Sequence, residues 1–172
     1  LDWPTIARLT DYALRQQLRA AVWRKLIAEQ GADQTAPTTE LTVGFLDLVG
    51  YTALSQELDA DELSELVARF EALTRDTVAE LGGRVVKTIG DEVMYVAEDS
   101  GQAATIALRL TERTGDDAVL PLARAGLAFG SVLARDGDYY GPVVNLAHRL
   151  VELARPGSVV TSEVVHDALV ED

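Results

Sequence analysis

Residues 84–97 hold the pattern that most constrains how this chain can fold. Two short β-branched runs flank the segment 87–92, Lys-Thr-Ile-Gly-Asp-Glu, and apolar runs around a Gly-Asp turn predict a β-hairpin. A plain surface turn needs neither a lysine nor two acids beside strands that should be buried. Our hypothesis is that Asp91 holds a metal ion and Lys87 meets a polar ligand. The alternative is a solvated turn.

The composition excludes several classes of protein. A net charge of −13 argues against a nucleic-acid partner, because a nucleic-acid binder would carry a basic face. The chain has no cysteine and only two histidines, which excludes thiolate sites and disfavours a histidine-rich zinc site. No apolar run approaches the length of a membrane span, about 18 residues, and no secretory signal pattern occurs. The sequence therefore predicts a cytoplasmic protein.

The length and patterning predict one domain with a short appendage. Residues 1–30 predict a helix with a broad apolar stripe, whose five basic and three acidic residues give it a charge of +2. Residues 31–40 predict a polar linker, and residues 41–172 a folded domain. The helix is expected to pack on its own domain or on a second copy, and the alternative is the end of an upstream regulatory segment. Because the chain begins at Leu1 and its only methionine is Met94, we expect either a fragment or a processed product.

The segment 41–52 predicts a strand, a tight turn and a helix N-terminus. Residues 41–46 are apolar and end at Asp47, and Gly50 permits the turn. The free amides of such a helix start, around Gly50, Tyr51 and Thr52, attract anions. An acid, a glycine turn and a helix start together suit a metal-bound polyphosphate. The alternative is that Asp47 caps the helix.

The remaining pattern predicts an α+β domain of ferredoxin-like or palm type, in which helices cover one face of the sheet. Asp59 and Glu62 form a capping-box pattern at the start of a helix that ends before a Gly-Gly pair. Asn145 and Arg149 share a face of another helix. The other predicted elements are a helix over 102–113, one or two strands over 120–133, a turn over 135–138, a helix from 141 to 155, a strand over 158–161 and a helix over 163–169.

Two aspartates stand at the ends of strands that would be neighbours in such a sheet. Asp47 and Asp91 are 44 residues apart in the sequence. Two carboxylates that bind two magnesium ions would stabilise the attacking and leaving oxygens of an in-line phosphoryl transfer. The placement therefore favours a metal site.

Three segments resemble the signature segments of class III nucleotidyl cyclases: Phe-Leu-Asp-Leu-Val-Gly-Tyr-Thr at 45–52, Val-Lys-Thr-Ile-Gly-Asp-Glu-Val at 86–93, and Asp-Tyr-Tyr-Gly-Pro-Val-Val-Asn-Leu-Ala-His-Arg at 138–149. The resemblance covers about residues 40–168. It implies a palm-like catalytic domain that works as a head-to-tail homodimer, with active sites at the interface. The brief segment 129–138 is similar to the short-armed variety, and the family's further C-terminal strands, one with a phosphate-binding lysine, are expected to be absent.

The resemblance also implies a role for each motif residue. Asp47 and Asp91 would bind two Mg²⁺ or Mn²⁺ ions per site, with the Leu48 carbonyl as a further candidate ligand. The implied substrate contacts are Lys87 and Asp138 on the purine, Asn145 on the ribose, Arg149 on the pentavalent transition state and, by a looser match, Arg124 on the triphosphate. It places Lys87 and Asp91 of one chain in opposite active sites of the dimer, so that a monomer is expected to be inactive.

The purine contacts favour ATP as the substrate. Adenine offers an amino donor at N6 and an acceptor at N1, which Asp138 and Lys87 complement. Guanine reverses this polarity and would leave both groups unpaired, at about 1–3 kcal/mol each. The expected reaction is attack of the ribose 3′-oxygen on the α-phosphorus, which yields cyclic AMP and pyrophosphate.

Three other functions stay open at this stage. A guanylyl cyclase would share the fold but need different base contacts. A diguanylate cyclase is also palm-like, but Ile89-Gly90-Asp91-Glu92 lacks the first glycine of its turn, and that family has no counterpart to the segment 138–149. A catalytically silent nucleotide-binding sensor need not keep both metal acids and the transition-state arginine.

Overall fold

The computed structural model describes residues 38–171. Its elements in chain order are β1 Thr38–Leu48, α1 Tyr51–Glu57, α2 Ala60–Glu80, β2 Arg84–Ile89, β3 Glu92–Ala97, α3 Ser100–Asp116, β4 Ala123–Arg135, β5 Asp138–Tyr140, α4 Pro142–Leu153, β6 Val159–Thr161 and α5 Glu163–Val170. The predicted α+β class is confirmed. The helix predicted over 1–30 and most of the linker predicted over 31–40 lie outside the described residues.

A six-stranded sheet organises the domain. Its order is β2-β3-β1-β4-β5, and β6 pairs with β4 in parallel, whereas the other pairings are antiparallel. The central strand β1 therefore lies between β3 and β4. The predicted hairpin over 84–97 is present, with Gly90 at φ 67° in its turn. The region predicted as one or two strands over 120–133 is the single strand β4, and Asp138 begins β5 instead of ending the turn.

Capping groups set the ends of α2 as predicted. The Asp59 carboxylate accepts hydrogen bonds from the amides of Asp61 (3.0 Å) and Glu62 (2.9 Å), and the Glu62 carboxylate accepts one from the Asp59 amide (3.0 Å). At the other end Gly82 adopts φ 77°, and the Gly83 amide bonds the Val78 carbonyl at 2.8 Å. These caps place the start of β2 directly after the helix.

Helices cover both faces of the sheet, whereas the sequence pattern predicted them on one face. One face packs on α2, α3 and α5 and forms the large core, which includes Leu46, Phe70, Tyr95, Ile106, Leu110, Leu127 and Val165. The other face packs on α4 and forms the small core, which consists of Val43, Phe45, Met94, Val96, Ala128, Val132, Ala147 and Val151. Strand alternation explains the division, because odd residues of β1 point to α4 and even residues to the large core.

Gly126 lets α4 lie directly on the sheet. A Cβ atom at this position would stand 2.2 Å from the Val151 amide nitrogen and 2.5 Å from the Ala147 carbonyl oxygen. Because both are backbone atoms of α4, no side-chain rotation would relieve the overlap. The glycine therefore fixes how closely the helix that carries Asn145 and Arg149 approaches β4.

A β-bulge changes which way Lys87 points. The pairing of β2 with β3 shifts register between Val85 and Lys87, so that Lys87 lies opposite Met94. Met94 belongs to the small core, and directly opposed residues share a face. Regular alternation from Val86, which also packs on the small core, would have turned Lys87 to the other face. The bulge thus directs Lys87 to the α4 side of the sheet.

Among residues 38–171, no helix is both long and apolar enough to cross a membrane.

Candidate active site

Three ionisable side chains form a row across the sheet. Asp47 of β1 lies opposite Glu92 of β3 and opposite Arg124 of β4, so all three point to the α4 side. Asp91 precedes Glu92 in the hairpin turn, and its carbonyl accepts a hydrogen bond from the Leu48 amide at 3.3 Å. The structure therefore brings Asp47 and Asp91 together, as their positions at strand ends predicted, with Leu48 beside them.

Arg124 contacts the first of these acids. Its Nε and Nη2 atoms lie 2.8 and 2.7 Å from Oδ2 of Asp47, and its Nη1 donates to the Glu152 carbonyl at 3.2 Å. Its neighbours Ala123 and Ala125 are fully buried in the large core, which confirms that Arg124 faces the opposite way. Such charge-assisted bonds are among the stronger hydrogen bonds in proteins. These contacts occupy three of the five N–H donors of Arg124.

The acids of the site are crowded and partly buried. Burial raises the pKa of the Asp91 carboxyl to about 6, and the nearby charge of Asp47 adds to the effect. Burial also raises the pKa of Glu92 to about 7, with further contributions from the charges of Asp47, Asp91 and Glu152. A divalent cation beside these carboxylates would relieve the repulsion that raises both pKa values.

The oxygen atoms of this site fit a hard cation that also binds water or phosphate. Carboxylate and carbonyl oxygens from Asp47, Asp91 and Leu48 are the donors that Mg²⁺ and Mn²⁺ prefer. Within residues 38–171 there is no cluster of three or more His, Cys, Asp or Glu side chains suited to a metal. Magnesium usually binds one or two carboxylates and completes its shell with water and substrate phosphates, so two acids are sufficient.

The site also contains His148 and Glu92, which were not among the site residues predicted from the sequence. The His148 Nε2 atom of α4 lies 3.3 Å from Oε1 of Glu92, and the His148 ring meets the Phe45 ring edge-on at 5.4 Å between centroids. This contact ties α4 to the strand that follows the Asp91 turn. The sequence does mark Glu92 as unusual, because it is an acid at the start of an apolar strand. Its partner His148 lies 56 residues further along the chain, so the sequence alone does not connect the two.

Lys87 and Asp138 form an ion pair on the same side of the sheet. Nζ of Lys87 lies 2.7 Å from Oδ2 of Asp138, whose Oδ1 accepts a hydrogen bond from the Tyr139 amide at 2.8 Å. Both side chains keep about a quarter of their surface exposed (29% and 25%), so a ligand can reach them. The structure thus joins the two residues predicted to read a purine. Their role in base recognition stays a prediction.

The predicted ribose and transition-state residues form no bond with the acids of the site. Asn145 and Arg149 are exposed on α4, and within the described residues their side chains make no hydrogen bond or ion pair. Four residues apart, they share one helix face. Neither side chain therefore bonds to Asp47 or Asp91 of its own chain.

The predicted anion-binding turn has the expected backbone. Gly50 adopts φ 79°, and α1 begins at Tyr51, followed by Thr52. No side chain caps this helix, so the alternative that Asp47 caps it was wrong. Burial and the charge of Asp91 raise the pKa of the Tyr51 hydroxyl, which places Tyr51 near that acid. Tyr51 also lines a surface cavity of about 480 Å³ against α2.

Comparisons with known proteins identify the family of this chain. Residues 34–172 match the model of the family described as adenylate and guanylate cyclase catalytic domain. The chain is 42% identical over 167 residues to an adenylate cyclase of Streptomyces coelicolor, which covers 97% of this chain and 43% of the relative. It is 41% identical over 181 residues to an adenylate cyclase of Glutamicibacter nicotianae, with 98% and 45% covered.

A solved structure shows the same fold. The adenylyl cyclase CyaB from P. aeruginosa matches with a TM-score of 0.70 at 25% identity, over 79% of this chain and 83% of that one. The chain spans less than half the length of the curated relatives named above. The family match covers most of the chain and includes all three motif segments. The chain belongs to the adenylate and guanylate cyclase catalytic domain family.

Proposed function

We propose that this chain is the catalytic domain of an adenylate cyclase that converts ATP into 3′,5′-cyclic AMP and pyrophosphate at the interface of a head-to-tail homodimer. The observation that carries the proposal is the ion pair between Lys87 and Asp138. It presents one donor and one acceptor side by side, the set that complements N1 and N6 of adenine. The relatives at 41–42% identity are both named adenylate cyclases, which supports the same substrate.

Asp47 and Asp91, with the Leu48 carbonyl, would hold two Mg²⁺ or Mn²⁺ ions. When bound, these ions neutralise phosphate charge and lower the pKa of the ribose 3′-hydroxyl. Arg124 would exchange its contact with Asp47 for the triphosphate. The backbone amides at Gly50, Tyr51 and Thr52 would contact phosphate oxygens next to the acids. In the reaction the 3′-oxygen bonds to the α-phosphorus, the hydroxyl proton is lost, and the bond to pyrophosphate breaks.

The other half of the site would come from a second chain. Asn145 would orient the ribose, and Arg149 would meet the negative charge that develops in the transition state. Both are exposed on α4 and form no hydrogen bond or ion pair with the acids of their own chain. This arrangement supports a dimer in which each site takes Asp47 and Asp91 from one chain and Asn145, Arg149, Lys87 and Asp138 from the other.

The first experiment incubates the protein with ATP or GTP and either Mg²⁺ or Mn²⁺ and separates the products. Cyclic AMP as the main product is expected. Cyclic GMP would indicate a guanylyl cyclase and linear dinucleotide a diguanylate cyclase. ATP binding without any product would indicate a silent sensor.

The second experiment tests the shared site by mixing two inactive variants, Asp91→Ala and Arg149→Ala. If the residues serve opposite halves of a site, the mixture regains activity because one interface combines the two intact halves. The matched controls are Asp116→Ala and Arg155→Ala, which change exposed residues of the same types. A mixture that dimerises but stays inactive would refute the interface arrangement.

A further inference from the structure

Strands β2 and β5 stand at opposite edges of the sheet, yet two side-chain links join them. The first link is the 2.7 Å ion pair between Lys87 and Asp138. In the second, Nη2 of Arg84 donates a hydrogen bond to the Tyr139 hydroxyl, and the Arg84 guanidinium carbon lies 5.0 Å from the centroid of the Tyr139 ring. The sheet is therefore coiled enough to bring its two edges together on the α4 side.

The bulge in β2 makes both links possible. Arg84 and Lys87 are three residues apart, and in a regular strand they would point to opposite faces. The register shift between Val85 and Lys87 puts Arg84 opposite Val96 and Lys87 opposite Met94, and both of these partners belong to the small core. The two cations thus point to the same side, toward two consecutive residues of β5.

Tyr139 anchors its end of the second link. Its ring packs against the small core, while its hydroxyl and ring face meet Arg84. β5 itself has only three residues and pairs with the end of β4 through residues 133–135. So short a strand has few backbone hydrogen bonds of its own, and contacts from β2 add to what holds it in place.

We propose that Arg84 and Tyr139 are positioning residues for base recognition, which hold Asp138 next to Lys87 while the ion pair opens to admit the purine. This inference rests on the proposed adenylate cyclase function. Lys87 and Asp138 must exchange their mutual bond for bonds to the base. During this exchange the Arg84–Tyr139 link keeps β5 beside β2, so the donor and the acceptor stay at the spacing that adenine requires.

The test uses Arg84→Gln, which removes the cation, and Tyr139→Phe, which keeps the packed ring and removes the hydroxyl. Each variant is expected to raise KM for ATP about threefold to tenfold, since an exposed link of this kind contributes about 0.5–1.5 kcal/mol. The ratio of kcat/KM for ATP to that for GTP falls, and kcat with ATP changes little. Arg84→Lys keeps the charge and restores part of the ratio. Arg75→Gln, an exposed arginine of α2, is the control and leaves every value unchanged.

The double variant separates a shared role from two independent ones. If the two residues act through each other, Arg84→Gln with Tyr139→Phe is no worse than the more severe single variant. Wild-type ATP/GTP ratios in both single variants would overturn the inference, and so would a fall in kcat that is equal for both nucleotides with KM unchanged. If the wild type makes no cyclic product, the proposed function fails. Equilibrium binding of ATP and GTP to the same variants then decides the inference on its own.

Discussion

Gly126→Ala is the substitution whose effect follows most directly from the geometry. The new methyl group would lie 2.2 Å from the Val151 amide nitrogen, and a normal contact needs about 3.5 Å. Because the obstructing atoms are backbone, α4 must move off the sheet by about 1 Å. Overpacking of this kind lowers the free energy of unfolding by about 1–3 kcal/mol. Each kcal/mol lowers the Tm of a domain of this size by about 2–4 °C. We expect Tm to fall by about 2–12 °C.

The same displacement should reduce activity, since α4 carries Asn145 and Arg149. A misplacement of about 1 Å can lower kcat by about 100-fold. The assays are thermal unfolding and cyclic AMP production at saturating ATP. Gly115→Ala is the control, because its nearest neighbour, Cδ2 of Leu122, would lie at an ordinary 3.5 Å. Wild-type Tm and kcat in Gly126→Ala would refute the tight seating of α4. A lowered Tm with unchanged kcat would refute the catalytic role of this helix.

Three other variants test the site and the core. Arg149→Ala should lower kcat about 100-fold to 1,000-fold with little change in KM for ATP, whereas a raised KM with unchanged kcat would contradict a transition-state role. The raised pKa of Glu92 means that the folded chain binds its proton more tightly than the unfolded chain, so stability is lost as pH rises from about 4.5 to about 7. With EDTA present, Glu92→Gln should therefore be more stable than the wild type at pH 8, by about 2–3 kcal/mol. This advantage should disappear at pH 4. If the difference in Tm between variant and wild type is the same at both pH values, the raised pKa of Glu92 does not explain it. Tyr95→Phe removes the buried hydroxyl that donates to the Ala103 carbonyl at 3.0 Å and should cost about 1 kcal/mol without altering kcat; an unchanged Tm would show that this bond contributes nothing.

Features that depend on neighbouring residues could be predicted from the sequence. The capping box at Asp59 and the Gly90 turn follow from local backbone chemistry, and both are present. The approach of Asp47 to Asp91 also could be predicted, because each stands at the end of an apolar strand of a common sheet type. The motif resemblance, confirmed by the family match, supplied roles that spacing alone does not provide.

Features that depend on register between distant strands could not be predicted. The bulge that turns Lys87 toward α4 lies between Val85 and Lys87, and no residue there indicates a bulge in the sequence. The contact of Arg124 with Asp47 joins residues 77 apart, and the contact of His148 with Glu92 depends on how closely α4 approaches β4. Each arises from the packing of whole elements, which periodicity does not specify.

The bond between Arg124 and Asp47 has a thermodynamic consequence for the order of binding. A cation bound to Oδ2 of Asp47 would compete with the Arg124 guanidinium, whose Nη2 lies 2.7 Å from that oxygen. A triphosphate that draws Arg124 away would therefore raise the affinity for the cation. Because linkage is reciprocal, the cation raises the affinity for the triphosphate by the same factor. Metal and nucleotide would then bind as a heterotropic, cooperative pair, each more weakly alone than in the presence of the other.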